Sequence, residues 1–234
     1  MKKILFILLF FAGVAALHSC KIDDYGAPSA VLQGTILDDK GQGLQAEQGQ
    51  GNTRIRMEEL SWSSTPTPMF LNIKQDGNYI NSKLFAGKYR ISPIEGPFYP
   101  VTAEEIDVKG TTIHDFHVLP YVVVEWVGDL VVTADKKISA KFKFNRNEAP
   151  AGQTKPTVAD YRLFVSTTKY VGNNNFDPAN GLVTVIPNEN TEVTVTTNTA
   201  MKYATTYYVR VGVRVNDNFK KYNYTTVKEI TITP

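Results

Sequence analysis

The sequence predicts an all-β protein built as two tandem β-sandwiches, and three observations carry that prediction. The chain holds 12 Tyr, 12 Phe and 2 Trp in 234 residues, and together with its many Val and Thr this is strand composition. Apolar and polar residues alternate with period two in one segment after another, and no amphipathic helical window of useful length interrupts them. Once an apolar leader is set aside, the remaining length suits two domains of about 100 residues better than one.

The leader begins with Lys2 and Lys3 and continues as an almost wholly apolar run over residues 4–17. That run is shorter than the ~20 residues a membrane-spanning helix needs, so it reads as a secretory signal. Leu17-His18-Ser19-Cys20 resembles the lipobox of bacterial lipoproteins. The resemblance implies a signal peptide over residues 1–19, lipidation of Cys20, and a lipidated tether over residues 20–29. Cys20-Lys21-Ile22-Asp23-Asp24 is similar to the acidic tether that sends such lipoproteins to the outer face of the outer membrane in Bacteroidetes-type cells. The alternative is cleavage after Ala16, which would leave a free thiol. Cys20 is the only cysteine, and an unmodified lone thiol in an oxidising compartment invites mispairing. A diacylated one is inert, and two acyl chains hold a protein firmly to a membrane.

The first sandwich is expected over residues 30–119. Residues 30–36 alternate as a strand, and the Asp38-Asp39-Lys40-Gly41 turn follows. Residues 42–52, rich in Gln and Gly, read as a solvated loop. Residues 53–62 place Ile55 and Met57 on one face against Arg54, Arg56 and Glu58. Residues 69–73 and a turn at Asp76-Gly77 deliver Tyr79 inward, and a second tight turn at Ala86-Gly87 delivers Tyr89 and Ile91 into the following strand. Gly77, Tyr79, Leu84, Gly87 and Tyr89 together resemble the hallmark of the prealbumin-like, carboxypeptidase-regulatory-type sandwich, an accessory and non-catalytic module. Gly96-Pro97-Phe98-Tyr99-Pro100 cannot sit in a central strand and reads as a loop or edge. Residues 104–108 and 111–119 are two further strands.

The second sandwich is expected over residues 120–234, with little linker before it, so that the two modules touch. Strands are read at 122–127, 130–132 and 138–144, the last with Ile138, Ala140, Phe142 and Phe144 inward. A proline-bearing loop fills 146–157, a strand 161–165, an Asn-rich loop 170–181, and two more strands 182–186 and 191–196. Met201, Thr205, Tyr207, Val209 and Val211 resemble the fibronectin type III run in which a tyrosine, here Tyr207, closes a corner by bonding to upstream backbone. Residues 228–233 are the closing strand.

Composition also excludes functions. The chain carries 25 Lys and Arg against 23 Asp and Glu, and Lys2 and Lys3 in the leader account for the excess; a near-neutral body lacks the basic field that nucleic-acid binding requires. There is no cysteine pair for zinc, no nucleophile elbow and no phosphate-binding glycine loop. His114 and His117, three apart in an extended segment, face opposite ways. The pairs Asp38-Asp39, Glu58-Glu59 and Glu104-Glu105 diverge for the same reason and read as solvated faces, not as the acid and base of a hydrolase. The Asn-rich segment at 173–181 lacks the spaced acidic residues of a calcium loop, and turn chemistry explains it. No enzyme, cofactor or metal is expected. Trp62, Phe98, Tyr99, Tyr170, Phe176 and Tyr222 are read at loops or strand ends, where flat rings could stack on sugar faces; the competing reading makes them plugs of the sandwich ends or of the interface between modules.

A lipid-anchored chain of two sandwiches in this order resembles a Bacteroidetes family of unknown function found with starch-utilisation-like glycan uptake systems. The resemblance implies a surface accessory to polysaccharide capture, with a membrane bound through the N-terminal lipid, a glycan as ligand and an outer-membrane uptake complex as partner. The alternative is a structural or assembly lipoprotein that contacts a transporter or adhesin through sandwich edge strands.

Overall fold

The structure is a computed structural model describing residues 26–177 and 182–234; the leader, Cys20 and most of the tether lie outside the described residues. In chain order the strands are β1 (Ala30–Leu37), β2 (Arg54–Glu59), β3 (Met69–Asn72), β4 (Asn78–Leu84), β5 (Gly87–Ile94), β6 (Glu104–Val108), β7 (Thr111–Ile113) and β8 (Phe116–His117). They continue as β9 (Val122–Trp126), β10 (Val131–Val132), β11 (Ile138–Arg146), β12 (Val158–Ser166), β13 (Leu182–Val183), β14 (Val193–Thr196), β15 (Thr206–Val215), β16 (Tyr222–Tyr224) and β17 (Lys228–Thr231). The described residues are all-β, in two sandwiches.

In the first sandwich, β1 lies between antiparallel β4 and parallel β7, with β8 continuing beside its far end. The facing sheet runs β3-β2-β5-β6. The inward faces are the ones the alternation demands: Ile55, Met57, Tyr79, Leu84, Tyr89 and Ile91 are all buried in one core. The segment expected as one strand over 111–119 is broken at His114-Asp115. There the backbone bulges across β1: His114 N–H donates to Gln33 O (2.9 Å), and the Asp115 carboxylate accepts from Thr35 N–H (2.7 Å). Gly34 makes room for it, since a Cβ there would lie 1.8 Å from the His114 carbonyl oxygen. Tyr79 OH donates to that same oxygen, so the aromatic that looked like plain core also ties down the bulge.

In the second sandwich, β11 carries β14 on one edge and both β9 and β10 on the other. The opposite sheet runs β13-β12-β15-β16, with β17 sharing the edge of β15. Ile138, Ala140, Phe142 and Phe144 point into the core, as their spacing required. The tyrosine corner forms: Tyr207 OH donates to Tyr203 O (3.1 Å) and accepts from Tyr203 N–H (3.0 Å).

The strand registers fix two poles on the first sandwich. Ala30 pairs with Leu84, and Gly87 with Val108, so the turns at 60–62, 85–86 and 109–110 sit where β1 begins. Leu37, the turn at 75–77 and the segment 95–100 sit at the other end, against the second sandwich.

Candidate functional site

That second end is a tightly tied seam. Residues 42–52, expected as a solvated loop, are its centre: Leu44, Ala46, Glu47 and Asn52 are buried. A composition of Gln and Gly hides this, because what the loop contributes is backbone carbonyls and one carboxylate rather than apolar bulk. Arg210 on β15 is fully buried; its Nε donates to Thr225 O (3.0 Å) and its Nη1 to Ala46 O (3.1 Å), while the guanidinium lies 4.1 Å above the Tyr224 ring. Nη2 has no hydrogen-bond partner among the described residues. Burial pushes this guanidinium down to about 10, against the opposing pull of Tyr224, Glu47 and Asp76, so it stays cationic at neutral pH.

Glu47 supplies the balancing charge. Its carboxylate accepts from Asn173 N–H (2.7 Å), Asn174 N–H (2.9 Å) and Tyr224 OH. The Asn-rich segment therefore points N–H donors at an anion of its own chain. Gly172 packs so closely on it that a Cβ would lie 2.7 Å from the carboxylate oxygens. Burial pushes the Tyr224 hydroxyl well above the ordinary phenol range, and the Glu47 charge adds to that.

A second tie runs through Pro97-Phe98-Tyr99-Pro100. Phe98 faces the core of the first sandwich and Tyr99 that of the second, its ring 4.7 Å from Tyr121 and edge-on to it. Asn223 completes this tie: Nδ2 donates to Pro97 O (2.9 Å) and Oδ1 accepts from Val122 N–H (3.1 Å).

Alongside the seam the two sandwiches leave a cleft of about 460 Å³. Its first-sandwich wall is the stretch from Asp38 to Gln45, and its second-sandwich wall is β9 with Asn223, Tyr224 and Thr226. Half-buried Trp126 lines it, held by donation from Nε1 to Thr226 O (2.9 Å). Lys40 reaches across to Glu125 (2.9 Å), which also meets Lys143 (3.3 Å). Hydrogen bonds from these two lysines hold the Glu125 carboxyl below its usual range, and Glu125 in turn raises Lys40. Beyond this bridge a second hollow of about 240 Å³ continues the groove, lined by Asn145, Asn147 and Asn190 among others.

The six aromatics singled out from sequence do not form one site. Phe98 (4 % exposed), Tyr99 (2 %) and Tyr222 (3 %) are buried, which corrects their placement as exposed ligand contacts: the first two plug the seam. Tyr222 lies within β16, with its hydroxyl donating to Asp160 (2.7 Å). Phe176 is half-buried edge-on against Phe164, 5.4 Å between centroids. Tyr170 stays exposed, and Trp62 sits at the opposite pole. Trp126 and Asn223 gave no separate signal, because an aromatic at a strand end reads as core and a lone Asn between two tyrosines reads as the solvent face of a strand.

Among the described residues no group of three or more His, Cys, Asp or Glu could hold a metal ion. Comparison with known families matches residues 30–119 to the protein of unknown function DUF3823 N-terminal domain, and residues 129–229 to the DUF3823_C domain of unknown function. No curated protein matches the chain. Among solved structures, a DUF3823 family protein from Bacteroides uniformis ATCC 8492 aligns with TM-score 0.78 at 24% identity, covering 88% of this chain and 100% of that one. A DUF3823 family protein from Parabacteroides merdae ATCC 43184 aligns at 0.73 and 22%, with the same coverage. A second Bacteroides uniformis protein, described as a candidate carbohydrate binding protein, aligns at 0.70 and 23%, again over 88% of this chain and all of the other. At these identities the likeness speaks for the fold.

Proposed function

We propose, for a chain that belongs to the DUF3823 family, a lipid-anchored protein of the outer membrane's exterior face that captures carbohydrate, as an accessory to glycan uptake, in the cleft between its two sandwiches. One observation carries this: the cleft joins an indole to planar amide and carboxylate groups beside a seam tied by buried hydrogen bonds. Sugars are bound by an apolar ring face stacking on the flat of an aromatic, with hydroxyls bonded to planar acceptors and donors. Trp126 offers the ring; Gln42, Gln45 and Glu125 offer the polar groups. A volume of about 460 Å³ falls within the range of small-ligand sites, roughly 300–1,000 Å³, which often lie at domain junctions. The description of the Bacteroides uniformis relative agrees with this role.

The role is capture without chemistry. A hydrolase needs one carboxyl held protonated as general acid. Glu125 is held the other way by Lys40 and Lys143, and Asp38 is occupied by its own turn, accepting from Lys40 N–H (2.9 Å) and Gln42 N–H (2.8 Å). The test is affinity-gel or array binding of the chain from Cys20 onward. Binding that Trp126→Ala weakens at least tenfold, about 1.4 kcal/mol, is the expected result. Absence of glycan binding, together with co-purification of an outer-membrane β-barrel, would favour an assembly lipoprotein instead.

A further inference from the structure

The pole opposite the seam carries an apolar tip. Trp62 is 66% exposed and Phe85 44%. They stand on neighbouring turns bound to each other: Ser61 Oγ accepts from Lys88 N–H (2.6 Å), and Leu60 N–H donates to Lys88 O (2.8 Å). With Ala86, Glu59 and Ser61 they bound an open, mainly apolar hollow of about 470 Å³. The rings are thus presented by fixed backbone.

The chain enters the fold at this same pole. Ala30 pairs with Leu84, the residue before Phe85. From Cys20 to the start of β1 the tether spans at most about 35 Å when fully extended, and on the order of 18 Å as a flexible coil. The sandwich itself, judged by the length of β1, is about 26 Å tall. On a coiled tether shorter than the sandwich is tall, a body held at Cys20 keeps this pole, and not the seam, nearest the anchoring surface. The local charge is nearly balanced: Lys88 is paired with Glu105 (2.8 Å), and the neighbouring strand ends carry Lys83 and Lys109 against Glu59 and Asp107. Contact here would be apolar and little affected by salt. Indole and phenyl rings suit the boundary between headgroups and hydrocarbon, and a tethered contact needs little intrinsic affinity because tethering raises the local concentration.

We propose that the Trp62–Phe85 tip seats in the headgroup layer of the lipid surface that holds Cys20. It is a second contact that stops the body tumbling on its tether and presents the seam cleft one sandwich height above the membrane. The idea rests on the lipid anchor put forward above, and the test supplies that anchor chemically so that each can fail separately. The sole cysteine is coupled to a maleimide lipid in phosphatidylcholine vesicles whose acyl chains are brominated near the headgroup. Tryptophan emission is then compared between the wild type and Trp62→Phe, and the difference is the emission of Trp62. The proposal expects that difference to be blue-shifted and quenched about twofold or more, as for an indole at the interface, with the same result in high salt. The Trp126 emission that Trp62→Phe retains should be unquenched. A Trp62 emission indifferent to bromine overturns the proposal. So does a soluble oligosaccharide that shifts Trp62 emission saturably without vesicles, since the tip would then be a sugar platform. Because Trp62 is mostly exposed, the substitution leaves the fold intact.

Discussion

The seam and the free pole of the first sandwich both gather aromatic rings, and the contrast between them separates structure from function. At and beside the seam, Tyr99, Tyr121, Tyr222 and Tyr224 are locked by packing, three of them also by hydroxyl bonds, and their faces are closed to solvent. What they leave open is a cleft beside them, where Trp126 keeps a reachable surface. At the pole, Trp62 and Phe85 contribute little to any core and stand into solvent. An aromatic that supports a site and one that forms it are told apart by burial and not by residue type.

This contrast can be broken most forcefully at the seam. Tyr99→Ala removes a ring from the second core and should cost about 3–5 kcal/mol in chemical denaturation; Glu47→Ala strands three donors, the buried Tyr224 hydroxyl among them, and should cost about 2–3 kcal/mol. Gly172→Ala drives a methyl into a carboxylate that three hydrogen bonds prevent from moving, for roughly 1–3 kcal/mol. Alkaline pH probes the buried rings of both sandwiches without mutation. Burial raises Tyr121 and Tyr89 to about 12 and lifts Tyr224 well above the ordinary phenol range. The unfolded chain ionises its tyrosines near pH 10. Stability is thus fully present below that pH and is lost as pH rises from there toward the folded values. Ultraviolet titration should show the buried tyrosines ionising only as the protein unfolds; their ionisation near pH 10 with the fold retained would contradict the packing. At the pole, Trp62→Ala should change stability by less than about 0.5 kcal/mol.

Much of the fold was legible because it depends on period two. Ile138 to Phe144 and Ile55 with Met57 announce their inward faces by alternation alone, and Tyr207 announces its corner. The seam was not legible, for a physical reason: its central groups are buried through hydrogen bonds and charge, which leave no periodic trace. Gln45, Ala46 and Glu47 look like a solvated loop until Arg210, more than 160 residues later, is seen to bond to Ala46 O. The break at His114-Asp115 was hidden likewise, because a bulge fitted over Gly34 preserves the apolar pattern on either side. Trp62 was readable as exposed, from its place beyond a polar strand end among serines. Phe98 and Tyr99 were misplaced because prolines mark a non-strand backbone and say nothing of where the intervening side chains point.

The most direct test of the cleft uses the fact that the chain has two tryptophans, one at each place. In Trp62→Phe only Trp126 emits, and a panel of soluble oligosaccharides is titrated against it. The account predicts that at least one of them gives a saturable shift in emission with the same midpoint as in the wild type. A sugar that shifts wild-type emission but leaves Trp62→Phe unchanged would contradict it, placing the carbohydrate site at the pole instead of the seam.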